Sequence, residues 1–123
     1  MFYYRDIILD ERDLSSLNLK SASKKGDSKA QFELGNCYYY GQGIRQNYNK
    51  AFGWYSKSAN NGYAEGQYYL GICYENGFGT SKDYNKAFEW YSKSAKYGCA
   101  EGQFKLGFFY RALLKITAGD CHR

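Results

Sequence analysis

Three short patterns in this sequence contain residue types that can carry out chemistry: an S-x-x-K pair, four cysteines and a G-x-G run. Ser21 and Lys24 have the spacing at which a lysine activates a serine nucleophile. The companion patterns of that enzyme class, S-D-N and K-T-G, do not occur in the sequence. Because the pair also falls at the end of a segment with helical periodicity, we interpret it as helix surface and predict that the chain is not an enzyme.

The cysteines lack the spacing of a metal site. Zinc sites use C-x-x-C pairs or combine cysteines with histidines, but the sequence has no such pair and its only histidine is His122. Cys37 and Cys73 occupy equivalent positions of two similar segments, which favours a buried, small apolar role for both. The G-x-G run at 41–43 lacks the third glycine of a phosphate-binding loop and is interpreted as a loop between helices. We expect no metal and no cofactor.

The composition favours one small helical domain. With 123 residues, 44% hydrophobic and 20% aromatic, the chain can form a single packed core, and without proline its helices are uninterrupted. The net charge of +5 comes from lysines scattered among carboxylates, so nucleic-acid binding is not expected. No apolar run approaches the ~20 residues of a membrane span. Residues 1–14 lack the apolar stretch of a secretory signal, and we predict a cytoplasmic protein.

A repeat of 36 residues is the most specific pattern in the chain. Segments 30–65 and 66–101 are identical at 21 of 36 aligned positions. Chance would give only about two or three identities, so the two segments represent a duplicated structural unit. A period of this length is typical of helical hairpins that stack on one another.

The first helix of each unit, helix A, is predicted from an apolar spacing of four. Ala30, Leu34 and Tyr38 fall on one stripe of a helix, and the same spacing recurs 36 residues later. The G-x-G runs at 41–43 and 77–79 can adopt positive φ, so helix A should end there. Gly35 lies inside helix A, where glycine costs about 1 kcal/mol relative to alanine. We therefore expect the second helix to approach closely at this position, most simply through Ala51.

The second helix, helix B, follows a residue that can cap it. Asn47 and Asp83 have side-chain oxygens that can accept from the free backbone N–H groups of a helix beginning at the next residue. Gly62 is expected to end helix B of the first unit. Tryptophans 54 and 90 are expected to pack in the core and between units. The residues of helix B that we expect to be buried share one face: Ala51, Tyr55, Ser58 and Ala59.

The same offset divides the chain into four parts. Residues 1–29 form an N-terminal helical segment with a degenerate partial repeat, 30–65 repeat 1, 66–101 repeat 2, and 102–123 a partial repeat with a helical cap or truncated end. In the last part, helix A is expected to continue to Thr117, with Gly119 near its end. The predicted fold is all-α: a short α-α superhelix, or solenoid, of antiparallel helix-turn-helix repeats of 36 residues.

The repeated pattern A-x-x-x-L-G-x-x-Y-x-x-G-x-G, followed by K-A-x-x-W-Y-x-K-S-A-x-x-G, resembles the Sel-one-like repeat. Tetratricopeptide repeats are the nearest alternative, but their period is 34 and a proline usually follows helix B. The resemblance implies a noncatalytic adaptor or scaffold that binds other proteins. It also implies that a disulfide of the cysteine-rich branch of this family would join positions 59 and 67. Because Ala59 and Gln67 stand there, we expect no such disulfide.

The candidate partner-binding residues lie on helix A, away from its Leu-Gly-Tyr stripe. In the related tetratricopeptide fold such positions line the inner, concave face. Here they vary between units while the scaffold repeats, as a groove that reads a nonrepetitive partner requires, although unconstrained surface residues vary in the same way. The candidates are Lys29, Phe32, Asn36, Tyr39, Glu65, Tyr68, Ile72, Glu75, Glu101, Phe104 and Phe108.

Three functions are compatible with this sequence, and we favour binding of a partner peptide or helix in the concave groove. A second is self-association of a truncated array, since the last helix A has no helix B after it in the repeat pattern. A third is weak nucleic-acid binding through lysine and tyrosine, for which steep salt dependence would be the sign.

Overall fold

Helices stacked in chain order make up the structure, a computed structural model that describes residues 18–121. A first helix, α1, includes residues 18–24. The others are α2 (Ser28–Tyr40), α3 (Tyr48–Asn60), α4 (Ala64–Asn76), α5 (Tyr84–Lys96) and α6 (Ala100–Cys121). No strand occurs in this range, which confirms the all-α prediction. Residues 1–17 of the predicted N-terminal segment and His122 lie outside the described residues.

The helices alternate between an inner and an outer row. We call α2, α4 and α6 the A helices and α1, α3 and α5 the B helices. From α2 onward each helix packs on the next, α2 also contacts α4, and α4 contacts α6, whereas the axes of α3 and α5 lie farther apart. Because neighbouring A helices touch while these two B helices are separated, the stack bends with the A helices on its inner side. This is the predicted α-α superhelix.

The helix ends follow from local side-chain chemistry. Asp27, Asn47 and Asp83 each accept a hydrogen bond of 3.1 Å from the backbone N–H three residues further on, which satisfies a donor that the first turn leaves free. The predicted caps at positions 47 and 83 are thereby confirmed. Helices α2 and α4 stop at Gly41 and Gly77, whose φ values of 72° and 76° are left-handed and favour glycine.

The glycine inside each complete unit lies under a tyrosine ring. A Cβ atom added to Gly35 would be 2.6 Å from Tyr55 Cδ1, and the equivalent atom on Gly71 would be 2.6 Å from Tyr91 Cε1. The expectation that Ala51 makes this approach was wrong. The ring of Tyr55, one turn further along α3, occupies the notch that Gly35 leaves by having no side chain. The predicted buried face of α3 is confirmed: Ala51, Tyr55, Ser58 and Ala59.

A repeated glutamine joins each A helix to the B helix before it. The side-chain amide donates to a backbone carbonyl near the end of that B helix over 3.0, 3.3 and 3.2 Å in the three cases. One of these bonds joins Gln67 to Ala59, the positions at which the resemblance placed a disulfide of the cysteine-rich branch. The three pairs are Gln31 with Ser23, Gln67 with Ala59 and Gln103 with Ala95.

Two expectations about single positions differ from the structure. Cys73 is fully buried in one cluster with Leu34 and Tyr55, as predicted, but Cys37 is only half-buried. The difference arises because Cys73 packs against the unit before it, whereas only α1 precedes α2 among the described residues. Helix α6 passes Gly119 and ends at Cys121, because a lone glycine costs a helix only about 1 kcal/mol.

Candidate partner-binding surface

Four tyrosines from two adjacent A helices meet on the inner row. In α2 the rings of Tyr39 and Tyr40 pack edge to face with centroids 4.8 Å apart, and in α4 those of Tyr68 and Tyr69 do so at 5.3 Å. The hydroxyls of Tyr40 and Tyr69 are 3.2 Å apart, so a hydrogen bond joins the two pairs. Tyr40 is 53% exposed, which places this bond at the surface. We call these four residues the tyrosine surface.

Phe32 and Tyr39, both predicted site residues, lie where one unit packs on the next. The ring of Phe32 is 5.4 Å from that of Tyr63 and 5.5 Å from that of Tyr69. Tyr39 is 6.0 Å from Tyr69 and 5.7 Å from Phe78. Both rings are half-buried, so each has one side in the junction between units and another side toward solvent. Tyr68 is similarly half-buried, with its ring 5.7 Å from that of Tyr91 in the following B helix.

Asn36 and Glu75 hold the B helices in place. The hydroxyl of Tyr55 donates to Asn36 and that of Tyr91 donates to Glu75, each over 2.5 Å. The Glu75 carboxylate is also 3.2 Å from the ammonium group of Lys105 in α6, an ion pair between neighbouring A helices. Both predicted site residues therefore have partners within the protein, and they orient the rings that cover the glycines.

The remaining candidates lie in the first turns of the A helices, in the middle of α4 and on α6. Lys29, Glu65 and Glu101 are exposed in the first turns of α2, α4 and α6, and Ile72 is half-buried on α4. Phe104 and Phe108 are exposed on α6. The structure thus brings Lys29, Glu65 and Ile72 onto the same two A helices as the tyrosine surface, whereas the α6 residues are on the neighbouring helix.

Tyr40 and Tyr69 were missed by the sequence reasoning. Their positions also vary from unit to unit, since Asn76 is equivalent to Tyr40, and Glu33 and Lys105 are equivalent to Tyr69. This variation was a usable signal, but the stripe chosen from the sequence lay one position away from theirs on the helix. Tyr69 belongs to the surface because α2 and α4 contact each other and its side chain faces α2 across the boundary between them.

The hydroxyls of Tyr39, Tyr68 and Tyr69 remain protonated well above neutral pH. Burial raises the pKa of Tyr39 and of Tyr68, and burial together with the hydrogen bond to Tyr40 raises the pKa of Tyr69. Desolvation disfavours the phenolate because its charge loses contact with water. At pH 7 these three residues therefore present neutral rings whose O–H groups can donate to a partner's carbonyl or carboxylate oxygens.

Alkaline pH is expected to destabilise the fold. Burial raises the pKa of Tyr55 and of Tyr91 far above the ordinary value of about 10, and it raises the pKa of Cys73 to about 12. The stabilising contribution is therefore complete below about pH 10 for the two tyrosines and below about pH 9 for Cys73. Each contribution is lost as pH rises toward the folded-state pKa, by roughly 1.4 kcal/mol per pH unit.

Urea unfolding followed by circular dichroism between pH 8 and pH 11.5 measures this loss. The Tyr55→Phe variant should show a shallower decline above pH 10, whereas Tyr84→Phe, at a position 62% exposed, should match the unaltered chain. A free energy of unfolding that stays constant to pH 11.5 would contradict the burial of these phenols.

Shallow grooves with lysines and a tryptophan lie on the B-helix side. One groove of about 390 Å³ is lined by Trp54 and by four lysines from α1 and α3, and a second of about 290 Å³ contains Trp90. The Lys57 ammonium lies 4.4 Å from the Trp54 ring and that of Lys93 lies 4.3 Å from the Trp90 ring. Both tryptophans are partly buried against the core, in line with the packing role predicted for them.

Ser21 and Lys24, the pair with nucleophile spacing, are both exposed on α1. Within residues 18–121 no group of three or more His, Cys, Asp or Glu side chains could hold a metal ion. In the same range, no helix combines the length and apolar character needed to cross a membrane.

Stacked helix pairs, inner A helices and repeated ring-over-glycine contacts define a repeat protein of the α-α superhelix class. The model of the Sel1 repeat family matches residues 28–63 and 64–98, more than half of the chain. The chain therefore belongs to the Sel1 repeat family. This confirms the resemblance stated from its sequence patterns.

Similar proteins come from a virus and from bacteria. A sel1-like repeat-containing protein of Acanthamoeba polyphaga mimivirus is 50% identical over 48 residues, which cover 37% of this chain and 8% of that protein. A protective antigen of uropathogenic Escherichia coli strains with an SLR fold is 35% identical, with a TM-score of 0.76 over 79% of this chain and 21% of that chain. A Sel1 repeat protein of Oxalobacter formigenes is 32% identical, with a TM-score of 0.67 over 77% and 44%.

The cysteine rich protein B of Helicobacter pylori shares the fold. Its sequence is 23% identical and its TM-score is 0.71, over 74% of this chain and 68% of that chain. The present chain thus spans less than half the length of the viral, Escherichia coli and Oxalobacter proteins that it matches.

Proposed function

We propose that this chain is a noncatalytic adaptor that binds a segment of a partner protein on its tyrosine surface. Sel1 repeat proteins are typically protein-interaction modules, and the family is generally a nonenzymatic scaffold. The cytoplasmic setting predicted from the sequence is part of this proposal.

One observation carries the proposal: the hydrogen bond of 3.2 Å between the exposed hydroxyls of Tyr40 and Tyr69 fixes aromatic rings of two helices in one surface. Tyrosine offers a large apolar face and a polar tip, and it loses little conformational entropy on binding when its ring is already held. Because the neighbouring rings pack edge to face, this preorganised state exists before a partner arrives.

The chemistry of the partner follows from the groups on this surface. Neutral phenol O–H groups favour a segment that presents carbonyl or carboxylate oxygens, and the ring faces favour apolar or aromatic side chains. Lys29 and Glu65, exposed in the first turns of α2 and α4, add one charge of each sign. A short amphipathic peptide or helix of mixed charge matches these groups best.

Selection of peptides from a displayed random library on the immobilised chain tests the proposal. Selected peptides should bind the Tyr40→Ala variant about tenfold or more weakly, as expected when an anchor at an interface is truncated. Tyr97→Ala is the matched control, because Tyr97 is 60% exposed and lines a groove on the B-helix side. Equal affinity for the unaltered and Tyr40→Ala chains would contradict the proposal, as would a selection that enriches no peptide.

A further inference from the structure

Helix α6 carries a face that is covered in the earlier units. The positions of Phe104 and Phe108 correspond to those of Phe32 and Asn36 in α2. In α2 they contact the following helices, since Phe32 packs on Tyr69 and Asn36 accepts a hydrogen bond from Tyr55. On α6 the two phenylalanines are 71% and 57% exposed. Among the described residues nothing covers this face.

Gly107, next to Phe108 in the chain, also lacks a side chain of the described residues packed over it. The equivalent glycine of the preceding unit, Gly71, lies under the ring of Tyr91, but a Cβ atom added to Gly107 would have no packed neighbour within 4 Å in the described part of the chain. Leu114, two turns further on, is 67% exposed. When several large apolar side chains on one helix are more than half exposed, as here, the helix face is typical of a surface that binds another protein.

The exposed residues of this face form a stripe that is complementary to itself. They recur at i, i+3, i+7, i+10 and i+14, and all are exposed: Glu101, Phe104, Phe108, Arg111 and Lys115. The stripe begins with an acid, has two aromatic residues in its middle and ends with two bases. Such a pattern complements its own reverse, because an antiparallel copy places the acid of each helix opposite a base of the other.

We propose that two copies of this chain pair antiparallel through α6, with the two-fold axis at Phe108. In this arrangement Glu101 lies opposite Lys115 of the second copy, and Phe104 lies within one residue of the level of Arg111 of the second copy, near enough for a cation to reach a ring. Phe108 meets its own counterpart at the axis. A parallel pair would place like charges together, so the charge pattern selects the antiparallel one. This inference does not depend on the tyrosine surface or its partner.

Light scattering coupled to size-exclusion chromatography over a dilution series from about 100 µM tests the pairing. The unaltered chain should approach twice its mass of 14.2 kDa at high concentration and dissociate on dilution. Glu101→Lys and Lys115→Glu should each weaken the dimer about tenfold, because each replaces two attractive pairs by two repulsive ones. The double variant Glu101→Lys with Lys115→Glu should regain the affinity of the unaltered chain.

Two further variants separate pairing from folding. Phe108→Glu should give a monomer with an unchanged circular dichroism spectrum, since it places two carboxylates against each other at the axis. Tyr84→Glu, at a residue 62% exposed on α5, should leave the dimer intact. If the unaltered chain has the mass of a monomer at 100 µM, the proposal is overturned. The same holds if the single charge variants do not weaken the dimer, or if the double variant does not restore it.

Discussion

Replacing Tyr55 with alanine is expected to lower the free energy of unfolding by about 3–5 kcal/mol, a large part of the stability of a domain of this size. Tyr55 is fully buried, its ring covers Gly35, and its hydroxyl donates to Asn36. Truncation at Cβ would remove all three contacts and leave a cavity at the junction between α2, α3 and α4. Urea unfolding at pH 7, followed by circular dichroism, measures the change.

Two control variants divide this effect into its parts. Tyr55→Phe keeps the ring and removes the O–H donor, which should cost about 1 kcal/mol. Tyr84→Ala changes an exposed tyrosine and should remain within about 0.5 kcal/mol of the unaltered chain. A cost of Tyr55→Ala no larger than that of Tyr84→Ala would contradict the central packing role of the Tyr55 ring.

Substitution of alanine for the equivalent glycines of successive A helices is expected to have opposite effects. Gly71→Ala should destabilise the protein by about 1–3 kcal/mol, because the added methyl group would be 2.6 Å from a carbon of the Tyr91 ring. Gly107→Ala should leave stability unchanged or raise it by up to about 1 kcal/mol, because no packed group of the described residues lies within 4 Å of the added carbon and alanine favours a helix.

The pair of variants serves as its own control, since both replace glycine by alanine at the same position of the repeat. The helix propensity gained is therefore similar, and the difference between the two free energies of unfolding reports the ring alone. Equal effects of the two substitutions would show that Tyr91 does not occupy the notch above Gly71.

Local chemistry explains which features of the fold were predictable. The caps at Asn47 and Asp83 and the end of α2 at Gly41 depend on a few neighbouring residues, and sequence spacing identified each one. The partner of Gly35 depends instead on how two helices cross. A register shift of one turn exchanges Ala51 for Tyr55, and nothing in the spacing of either helix fixes that shift.

The candidate surface was predictable only in part for a similar reason. Periodicity assigned residues such as Tyr39 to a face of helix A, but the twist between units decides which part of that face the next unit covers. Tyr39 consequently packs at a junction, while Tyr40, its neighbour in sequence, is more exposed. The pairing of Tyr40 with Tyr69 required the contact between α2 and α4, which links residues 29 positions apart.

Mapping of a selected peptide by NMR tests the central functional claim most directly. A titration of the isotope-labelled chain should shift the backbone amide signals of Tyr40, Tyr69 and Glu65 on the inner A helices, while those of Tyr84 and Trp54 on the B-helix side keep their positions. Shifts confined to the lysine and tryptophan grooves of the B helices, with the signals of the tyrosine surface unchanged, would contradict the claim.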